Sequence, residues 1–207
     1  VYGSLRHDER LAASIAKYPG MRLLRQDPWE CLISFICSSA SNIKRISRNI
    51  ESICTTFGHP IKMGGSVRHS FPSPEDLTNT KVETLRSLGL GYRSEYLVDT
   101  ICAVSDGTVD LISLRSMPYP RALNSLVSLP GVGDKVANCV MLFSLDKPDA
   151  FPVDVWIERA LSEWYLCGTK LSRMEMRLWA QNYFGQYAGY ANHYIFHGRR
   201  LMMSPQI

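Results

Sequence analysis

Several features are missing from this sequence of 207 residues, and each absence excludes a class of protein. The six cysteines include no Cys-x-x-Cys pair, which argues against a zinc site and against an iron–sulfur cluster. No apolar run approaches the roughly 18 residues that a membrane span needs, and no signal peptide precedes the first helix. We therefore expect a soluble, intracellular protein with no metal held by side chains and no membrane partner.

Alternating strand patterns are almost absent, and the sequence contains no internal repeat. A chain of this length with 45% hydrophobic residues can bury a substantial core. The sequence therefore predicts an all-α fold of about nine helices. We expect residues 1–207 to form one domain, made of two packed helical subdomains with a central cleft.

Capping signals and apolar spacing predict where the helices begin. Asp27-Pro28-Trp29-Glu30 combines a cap, a proline and a glutamate in the order typical of a helix start. Isoleucines at helical spacing predict the next helix, with a basic face opposite them. The isoleucines are Ile43, Ile46, Ile50 and Ile53, and the basic face holds Lys44, Arg45, Arg48 and Asn49.

The remaining segments are interpreted in the same way. The first twenty residues are polar and irregular, and residues 58–73 are predicted to be a loop. Capping boxes are predicted at Ser73 and Thr80, and another at Ser172 begins a helix that ends near Gly185. The last helix is expected at about residues 188–201.

The most informative stretch is Leu129-Pro130-Gly131-Val132-Gly133-Asp134-Lys135-Val136-Ala137, which lies between two apolar runs with helical spacing. It predicts a helix-hairpin-helix at about residues 121–145. Glycines at such a turn leave backbone N–H groups uncovered, and these groups can bind a phosphate at a helix N-terminus. The positive end of the helix dipole disfavours an ammonium at Lys135, so this lysine is well placed to be a nucleophilic amine. The simpler interpretation is a plain turn, or a DNA-backbone contact, beside a solvated lysine.

A carboxylate follows in Phe151-Pro152-Val153-Asp154-Val155-Trp156. Asp154 lies between apolar residues at the predicted N-cap of a helix over 155–164, and capping alone would explain it. A capping acid that is also desolvated can serve chemistry as well. The net charge of +4 and the pI of about 8.7 permit a nucleic-acid partner without requiring one.

Taken together, these motifs resemble the helix-hairpin-helix glycosylases, and within them the 8-oxoguanine DNA glycosylase/lyases. The resemblance covers roughly residues 20–200. It is carried by the hairpin, by Pro152-Val153-Asp154-Val155 and by the segments 22–32, 35–39, 88–93, 144–148 and 187–191. Members of this family usually carry an N-terminal antiparallel-sheet lobe, which the first twenty residues could not form.

The resemblance implies a damaged double-stranded DNA partner, a monomer, and a bifunctional glycosylase and abasic-site lyase. Lys135 would attack the C1′ atom of an extruded nucleotide and form a Schiff base that allows β-elimination, with Asp154 as its partner. The N–H groups of Gly131, Val132 and Gly133 would hold the DNA backbone. A monovalent cation on the hairpin carbonyls is implied, and no other cofactor is expected.

For the base opposite the lesion, the resemblance points to Arg45 and Arg93, with Asn42 beside them and Tyr92 as a wedge in the vacated stack. Arg45 taken alone is equally consistent with a phosphate contact or a solvated charge. Ala40 stands where the family has an asparagine. This departure puts discrimination of the opposite base in question, which excision opposite C, A, G and T would test.

For the flipped purine, Cys139 and Phe196 match the positions that sandwich the ring, with Phe143 in the same pocket. Asn192 stands where a longer glutamine reads the base edge, and Trp156 replaces a histidine that contacts phosphate. The simpler interpretation is that Cys139 and Phe196 are core residues, because both fit apolar helical faces. Two other functions stay open: a glycosylase of different base specificity and a non-catalytic DNA-binding module.

Overall fold

The computed structural model describes residues 1–203, apart from the side chains of Met63 and of residues 201–203. This part of the chain is mostly helical, which confirms the predicted all-α fold class. It contains twelve α-helices and two short 3₁₀ turns rather than about nine helices. The helices are α1 (Tyr2–Leu5), α2 (Glu9–Lys17), α3 (Pro28–Cys37), α4 (Ile43–Phe57), α5 (Pro74–Leu77), α6 (Val82–Ser87), α7 (Arg93–Ser105), α8 (Tyr119–Val127), α9 (Asp134–Ser144), α10 (Val155–Trp164), α11 (Arg173–Phe184) and α12 (Ala188–Met203).

The chain divides into two compact units. The first unit combines Val1–Arg25 with the chain from Ala137 onward, and the second unit is Gln26–Val136. The expectation of one domain over residues 1–207 stays a prediction. No helix among residues 1–203 is long and apolar enough to cross a membrane.

In the first unit, the N-terminal residues form α1 and α2, two helices that the irregular sequence pattern of the first twenty residues does not predict. Leu11 and Ile15 on α2 are buried in the core of this unit together with residues of α10, α11 and α12. Asp8 caps α2 by accepting a hydrogen bond from the N–H of Leu11 at 2.9 Å. The same carboxylate also accepts from the hydroxyls of Tyr165 (3.1 Å) and Tyr183 (3.2 Å), and burial and this carboxylate raise the pKa of both phenols.

In the second unit, α3 packs against α4 and α7. The helix begins as predicted, because Asp27 accepts hydrogen bonds from the N–H groups of Trp29 and Glu30 at 2.9 and 3.0 Å. The indole of Trp29 donates to the carbonyl of Pro72 at 2.9 Å, which fixes α3 against the segment before α5. This unit buries apolar side chains of its own, among them Leu32, Ile36, Ile53, Leu85 and Leu97.

Part of the predicted loop over residues 58–73 is a β-hairpin. Strand β1 (Pro60–Met63) pairs antiparallel with β2 (Ser66–His69), with Pro60 opposite His69. Gly64 and Gly65 join the strands with φ of +50° and +82°. The strands were missed because their side chains are mostly exposed, so no apolar alternation marks them.

Two details of helix α4 and helix α6 also differ from prediction. Thr80 does not form a capping box, because α6 has Lys81 at its N-cap with no side-chain cap. On α4, Ile43 is 60% exposed, whereas Asn49 from the predicted basic face is 3% exposed. The Nδ2 atom of Asn49 donates to the carbonyl of Leu88 at 3.1 Å, whereas its buried Oδ1 atom has no hydrogen-bond partner in the part of the chain that the structure describes.

The fold predicts that Gly189→Ala strongly destabilises the protein. A Cβ at Gly189 would lie 2.1 Å from Cδ1 of Leu142 and 2.9 Å from the carbonyl oxygens of Pro148 and Ala150. We expect a loss of about 3 kcal/mol in the free energy of unfolding, measured by urea denaturation. The matched control on the same helix is Gly198→Ala, whose Cβ would meet only the Ser14 hydroxyl at 3.3 Å. Equal effects of the two substitutions would contradict this prediction.

Candidate active site

The predicted helix-hairpin-helix is formed by α8, the turn at residues 128–133, and α9. Within the turn, the N–H of Val132 donates to the carbonyl of Leu129 at 3.1 Å. Gly131 has a φ of +77°, and a Cβ there would lie 2.4 Å from the ring atom Cδ2 of Tyr96. Gly133 has no positive φ and is open, because a Cβ there would meet nothing within 4 Å. Gly131 is therefore required by conformation and by packing, whereas Gly133 keeps the backbone uncovered.

Lys135 lies in the first turn of α9 and is half-buried. Its Nζ atom is 5.0 Å from the centroid of the Phe35 ring, which lies near the end of α3. An aromatic face at this distance attracts the lysine head group and restricts where it can lie. No role for Phe35 was predicted, because a single aromatic residue on an apolar helix carries no signal of this contact.

Arg45, Asn42 and Tyr92 are brought together in the second unit. Asn42 caps α4 by accepting a hydrogen bond from the N–H of Arg45 at 3.0 Å. The exposed guanidinium of Arg45 donates to the carbonyl of Gly89 at 3.3 Å, in the turn that leads to Tyr92. Tyr92 is 50% exposed and meets Tyr96 edge to face, with ring centroids 5.9 Å apart. The exposed ring suits the wedge role that the sequence predicted for it.

Arg93 is only 1% exposed, although the sequence placed it with the base-reading residues. Its guanidinium donates to the carbonyls of Ser39, Ala40 and Leu90, with a distance of 3.1 Å to Ala40 and 3.4 Å to Leu90. It also lies 4.6 Å from the centroid of the Tyr92 ring. In this structure Arg93 supports the loop after α3, and its contact with a base stays a prediction.

The buried thiol of Cys37 interacts electrostatically with the charge of Arg93. Burial raises the pKa of Cys37 to about 12, although the charge of Arg93 acts in the opposite direction. The thiol therefore stays neutral at physiological pH, and it is not a candidate nucleophile.

Asp154 lies in the first unit as the N-cap of α10, as predicted. Its Oδ1 atom accepts hydrogen bonds from the N–H groups of Trp156 and Ile157, both at 2.9 Å. Because a single oxygen takes both bonds, Oδ2 remains available to other partners. The half-buried carboxylate can therefore cap the helix and act on a substrate at the same time.

The predicted base-pocket residues lie on two helices of the first unit, with Cys139 and Phe143 on α9 and Asn192 and Phe196 on α12. Each pair is four residues apart, so its members share one helix face. Cys139 and Asn192 are buried, whereas Phe143 and Phe196 are half-buried. The role of these four residues in a base pocket stays a prediction.

Phe143 also has a neighbour on the facing helix. Its ring meets His193 at a centroid distance of 6.1 Å. Burial, and then the neighbouring His197, lower the pKa of His193, so this imidazole is neutral at pH 7. A cavity of about 340 Å³ borders Phe143 and is also lined by Arg25, Asp146 and Tyr190.

The site residues are thus divided between the two units. The hairpin, Lys135, Asn42, Arg45, Tyr92 and Arg93 belong to the second unit, and Asp154 and the pocket residues belong to the first. Among residues 1–203, no group of three or more His, Cys, Asp or Glu side chains could hold a metal ion.

The comparisons with known proteins show the family of this chain. Residues 33–184 match the HhH-GPD superfamily base excision DNA repair protein family, so the chain belongs to this family. Residues 1–32 match the N-terminal domain of 8-oxoguanine DNA glycosylase. The part of the chain that matches this N-terminal domain includes α1 and α2, and it contains no strand.

Particular relatives are the N-glycosylase/DNA lyases. The chain is similar to OGG1 of Arabidopsis thaliana (37% identity, 91% of this chain and 54% of the relative). It is also similar to the N-glycosylase/DNA lyase of Saccharomyces cerevisiae (41% identity, 76% of this chain and 46% of the relative). The chain thus spans about half the length of these curated relatives.

Solved structures show the same relationship. The Clostridium acetobutylicum 8-oxoguanine glycosylase/lyase, solved with DNA containing cytosine opposite 8-oxoguanine, matches with a TM-score of 0.93. Its identity to this chain is 32%, and the match covers 97% of this chain and 69% of that one. MBOgg1 with a low-affinity DNA ligand matches with a TM-score of 0.94 at 37% identity, over 98% of this chain and 70% of that one. The predicted family and fold are confirmed.

The backbone at Ala40 generates one prediction, because this residue has a φ of +45°. The left-handed region is unfavourable for alanine and more readily adopted by asparagine. Since Ala40 is exposed, its side chain can be changed without loss of packing. We expect Ala40→Asn to raise the free energy of unfolding by about 0.5 kcal/mol and Ala40→Val to lower it by about 1 kcal/mol. Thermal denaturation of both variants checks this, and the same sign for both would contradict it.

Proposed function

We propose that this protein is a bifunctional DNA glycosylase and abasic-site lyase that excises 8-oxoguanine from duplex DNA. The observation that carries the proposal is Lys135, an amine in the first turn of the second hairpin helix, directly after an open glycine turn. Relatives named N-glycosylase/DNA lyase support it, as do neighbours solved with DNA.

Lys135 is the proposed nucleophile. Once its ammonium has given a proton to a base, the Lys135 amine attacks C1′ of the extruded nucleotide. The C1′–N bond to the base breaks, and the base leaves with the proton that the attacking nitrogen loses. Opening of the sugar gives a Schiff base between Nζ and C1′. The Schiff base acidifies the C2′ proton, which passes to solvent as the 3′ phosphate leaves by β-elimination. Water then hydrolyses the Schiff base, which releases the sugar fragment and restores Lys135. Contact with the Phe35 ring limits the positions that the amine can sample.

Asp154 is the proposed partner of this amine. Its two backbone hydrogen bonds at Oδ1 fix the carboxylate at the start of α10. A fixed negative charge stabilises the oxocarbenium-like charge that develops on the sugar, and it can also accept a proton from the lysine.

We propose that the hairpin, Tyr92 and Arg45 bind the DNA. The N–H groups of Gly131 and Gly133 would contact the backbone, which positions the duplex without reading its sequence. The N–H of Val132 is used within the turn by the carbonyl of Leu129, so the predicted contact through Val132 is corrected. The exposed Tyr92 ring would enter the stack vacated by the lesion. Arg45 is exposed and would address the opposite base, whereas Arg93 would support the loop that carries Ala40.

The flipped purine would lie against Phe196 and Cys139, with Phe143 and Asn192 nearby. An aromatic ring is a suitable stacking partner for a base. The exposed glycines leave hairpin carbonyls accessible, and these carbonyls would hold the implied monovalent cation and help to position the DNA backbone. The amine and the carboxylate supply the chemistry without another cofactor.

We further propose that the protein acts as a monomer, since every proposed site residue is present in one chain. It would act where the DNA is, in the nucleus of a eukaryote or in the cytoplasm and nucleoid of a prokaryote.

A different base specificity is the second candidate function. Relatives named DNA-3-methyladenine glycosylase match at 22–26% identity over 61–74% of the chain. The higher identity of the N-glycosylase/DNA lyases favours 8-oxoguanine, and so does the lysine at position 135, which alkylpurine glycosylases commonly lack.

The first experiment is borohydride trapping on duplex DNA that contains 8-oxoguanine opposite cytosine. Reduction of the Schiff base should leave a covalent adduct between the protein and the DNA. We expect Lys135→Gln to form no adduct and to lower excision and strand nicking by more than about a thousandfold, while binding to damaged DNA persists. Lys170→Gln, which changes a lysine elsewhere in the sequence, is the control. Cleavage by the Lys135→Gln variant would refute the assignment, and tight binding without any wild-type adduct would favour the non-catalytic module.

The second experiment separates the chemical role of Asp154 from helix capping. Asparagine caps a helix about as well as aspartate, whereas alanine costs about 1 kcal/mol of stability. We expect Asp154→Asn to keep the wild-type melting temperature and to lower the single-turnover excision rate by about a hundredfold or more. A variant that keeps most of the rate would show that Asp154 only caps α10.

A further inference from the structure

Two buried asparagines bind consecutive residues just before Asp154, all within the first unit. Asn138 on α9 is 0% exposed, and its Oδ1 atom accepts a hydrogen bond from the N–H of Phe151 at 3.2 Å. Asn192 on α12 is 4% exposed, and its Nδ2 atom donates to the carbonyl of Pro152 at 2.8 Å. Side-chain amides from two helices therefore hold one short stretch of backbone.

This stretch needs such partners. Residues 151–154 have no regular secondary structure, and Phe151, Pro152 and Val153 are buried. Buried N–H and C=O groups without a helix or sheet partner must be satisfied by side chains or water, and leaving one unpaired is costly. The amides of Asn138 and Asn192 meet this need within two or three residues of the Asp154 carboxylate.

We propose that Asn138 and Asn192 are positioning residues that fix Asp154 by holding the backbone of Phe151 and Pro152. The inference rests on the proposed function and adds two residues to it. One of the two N–H donors of the Asn192 amide is bonded to Pro152 and is not available to a purine. Asn192 thus acts through Asp154, and its effect extends to a substrate that has no base.

An abasic site supplies that substrate. A residue that only reads the base contributes nothing to the cleavage of an abasic duplex, whereas a residue that positions Asp154 still affects this cleavage, because Asp154 also accepts a proton from Lys135. We expect Asn138→Leu and Asn192→Leu each to lower the single-turnover cleavage of an abasic duplex by about tenfold, with little change in its binding. Trapped adduct, measured at saturation, counts the active molecules and corrects the rates for misfolded protein.

Amide hydrogen exchange tests the positioning without any activity. The N–H groups of Trp156 and Ile157 bind Asp154, so their exchange reports how firmly Asp154 is held. Both leucine variants should exchange these amides about tenfold faster than the wild type. The control is Asn49→Leu, because Asn49 is also buried and donates to a backbone carbonyl, but in the second unit. We expect this control to lower the free energy of unfolding by a similar amount. Exchange at Trp156 and Ile157 should then increase only as far as the change in global unfolding explains.

Unchanged exchange at Trp156 and Ile157 in both variants would overturn the proposal. So would faster exchange with wild-type cleavage of the abasic duplex. If the wild type cleaves neither duplex but the variants exchange faster, the proposed function fails and the positioning of Asp154 stands. If circular dichroism shows that a leucine variant does not fold, Asn138→Ser or Asn192→Ser replaces it and gives the same readouts. Serine is smaller, and its hydroxyl does not reach as far as the asparagine amide.

Discussion

Burial of the Arg93 guanidinium is the constraint on which the predicted DNA-contacting face of the second unit depends. A charge removed from water is tolerated only when its donors are satisfied, and here backbone carbonyls of the loop after α3 and of the turn after α6 accept them. The loop must present Ser39 and Ala40 carbonyls toward one point, and it does so with a left-handed alanine. Tyr92 stacks against the same guanidinium, so the exposed ring is supported from beneath.

The hairpin also depends on a contact between backbone and one side chain. Close approach of Gly131 to Tyr96 sets the turn that begins α9, and Tyr96 in turn touches Tyr92. The turn before Lys135 and the exposed tyrosine are therefore connected through one aromatic side chain. In the first unit, the buried amides of Asn138 and Asn192 hydrogen-bond to the backbone before Asp154. In the second unit, the Arg93 guanidinium does the same for the loop after α3. Both devices use a side chain to hold backbone that has no regular partner.

Much of this was readable from the sequence because it is local. The caps at Asp27 and Asp154 and the glycine turn involve residues within a few positions of each other, and their chemistry has few alternatives. Contacts between distant residues were not readable. The sequence spacing does not predict the contact of Phe35 with Lys135 or that of Asn138 with Phe151. Arg93 was predicted to contact a base, and the carbonyl groups that bury it are distant in sequence or lie in a loop. Asn49 was misplaced for the same reason, since its hydrogen-bond partner is the distant carbonyl of Leu88.

The distribution of cysteines has a practical consequence. Cys31, Cys37 and Cys139 are buried, whereas Cys102 in the second unit and Cys167 in the first are exposed. Maleimide dyes should react first at these two thiols, one on each unit. A donor and acceptor pair attached there, after replacement of the half-buried Cys54, would report whether the distance between these two positions changes when a duplex binds.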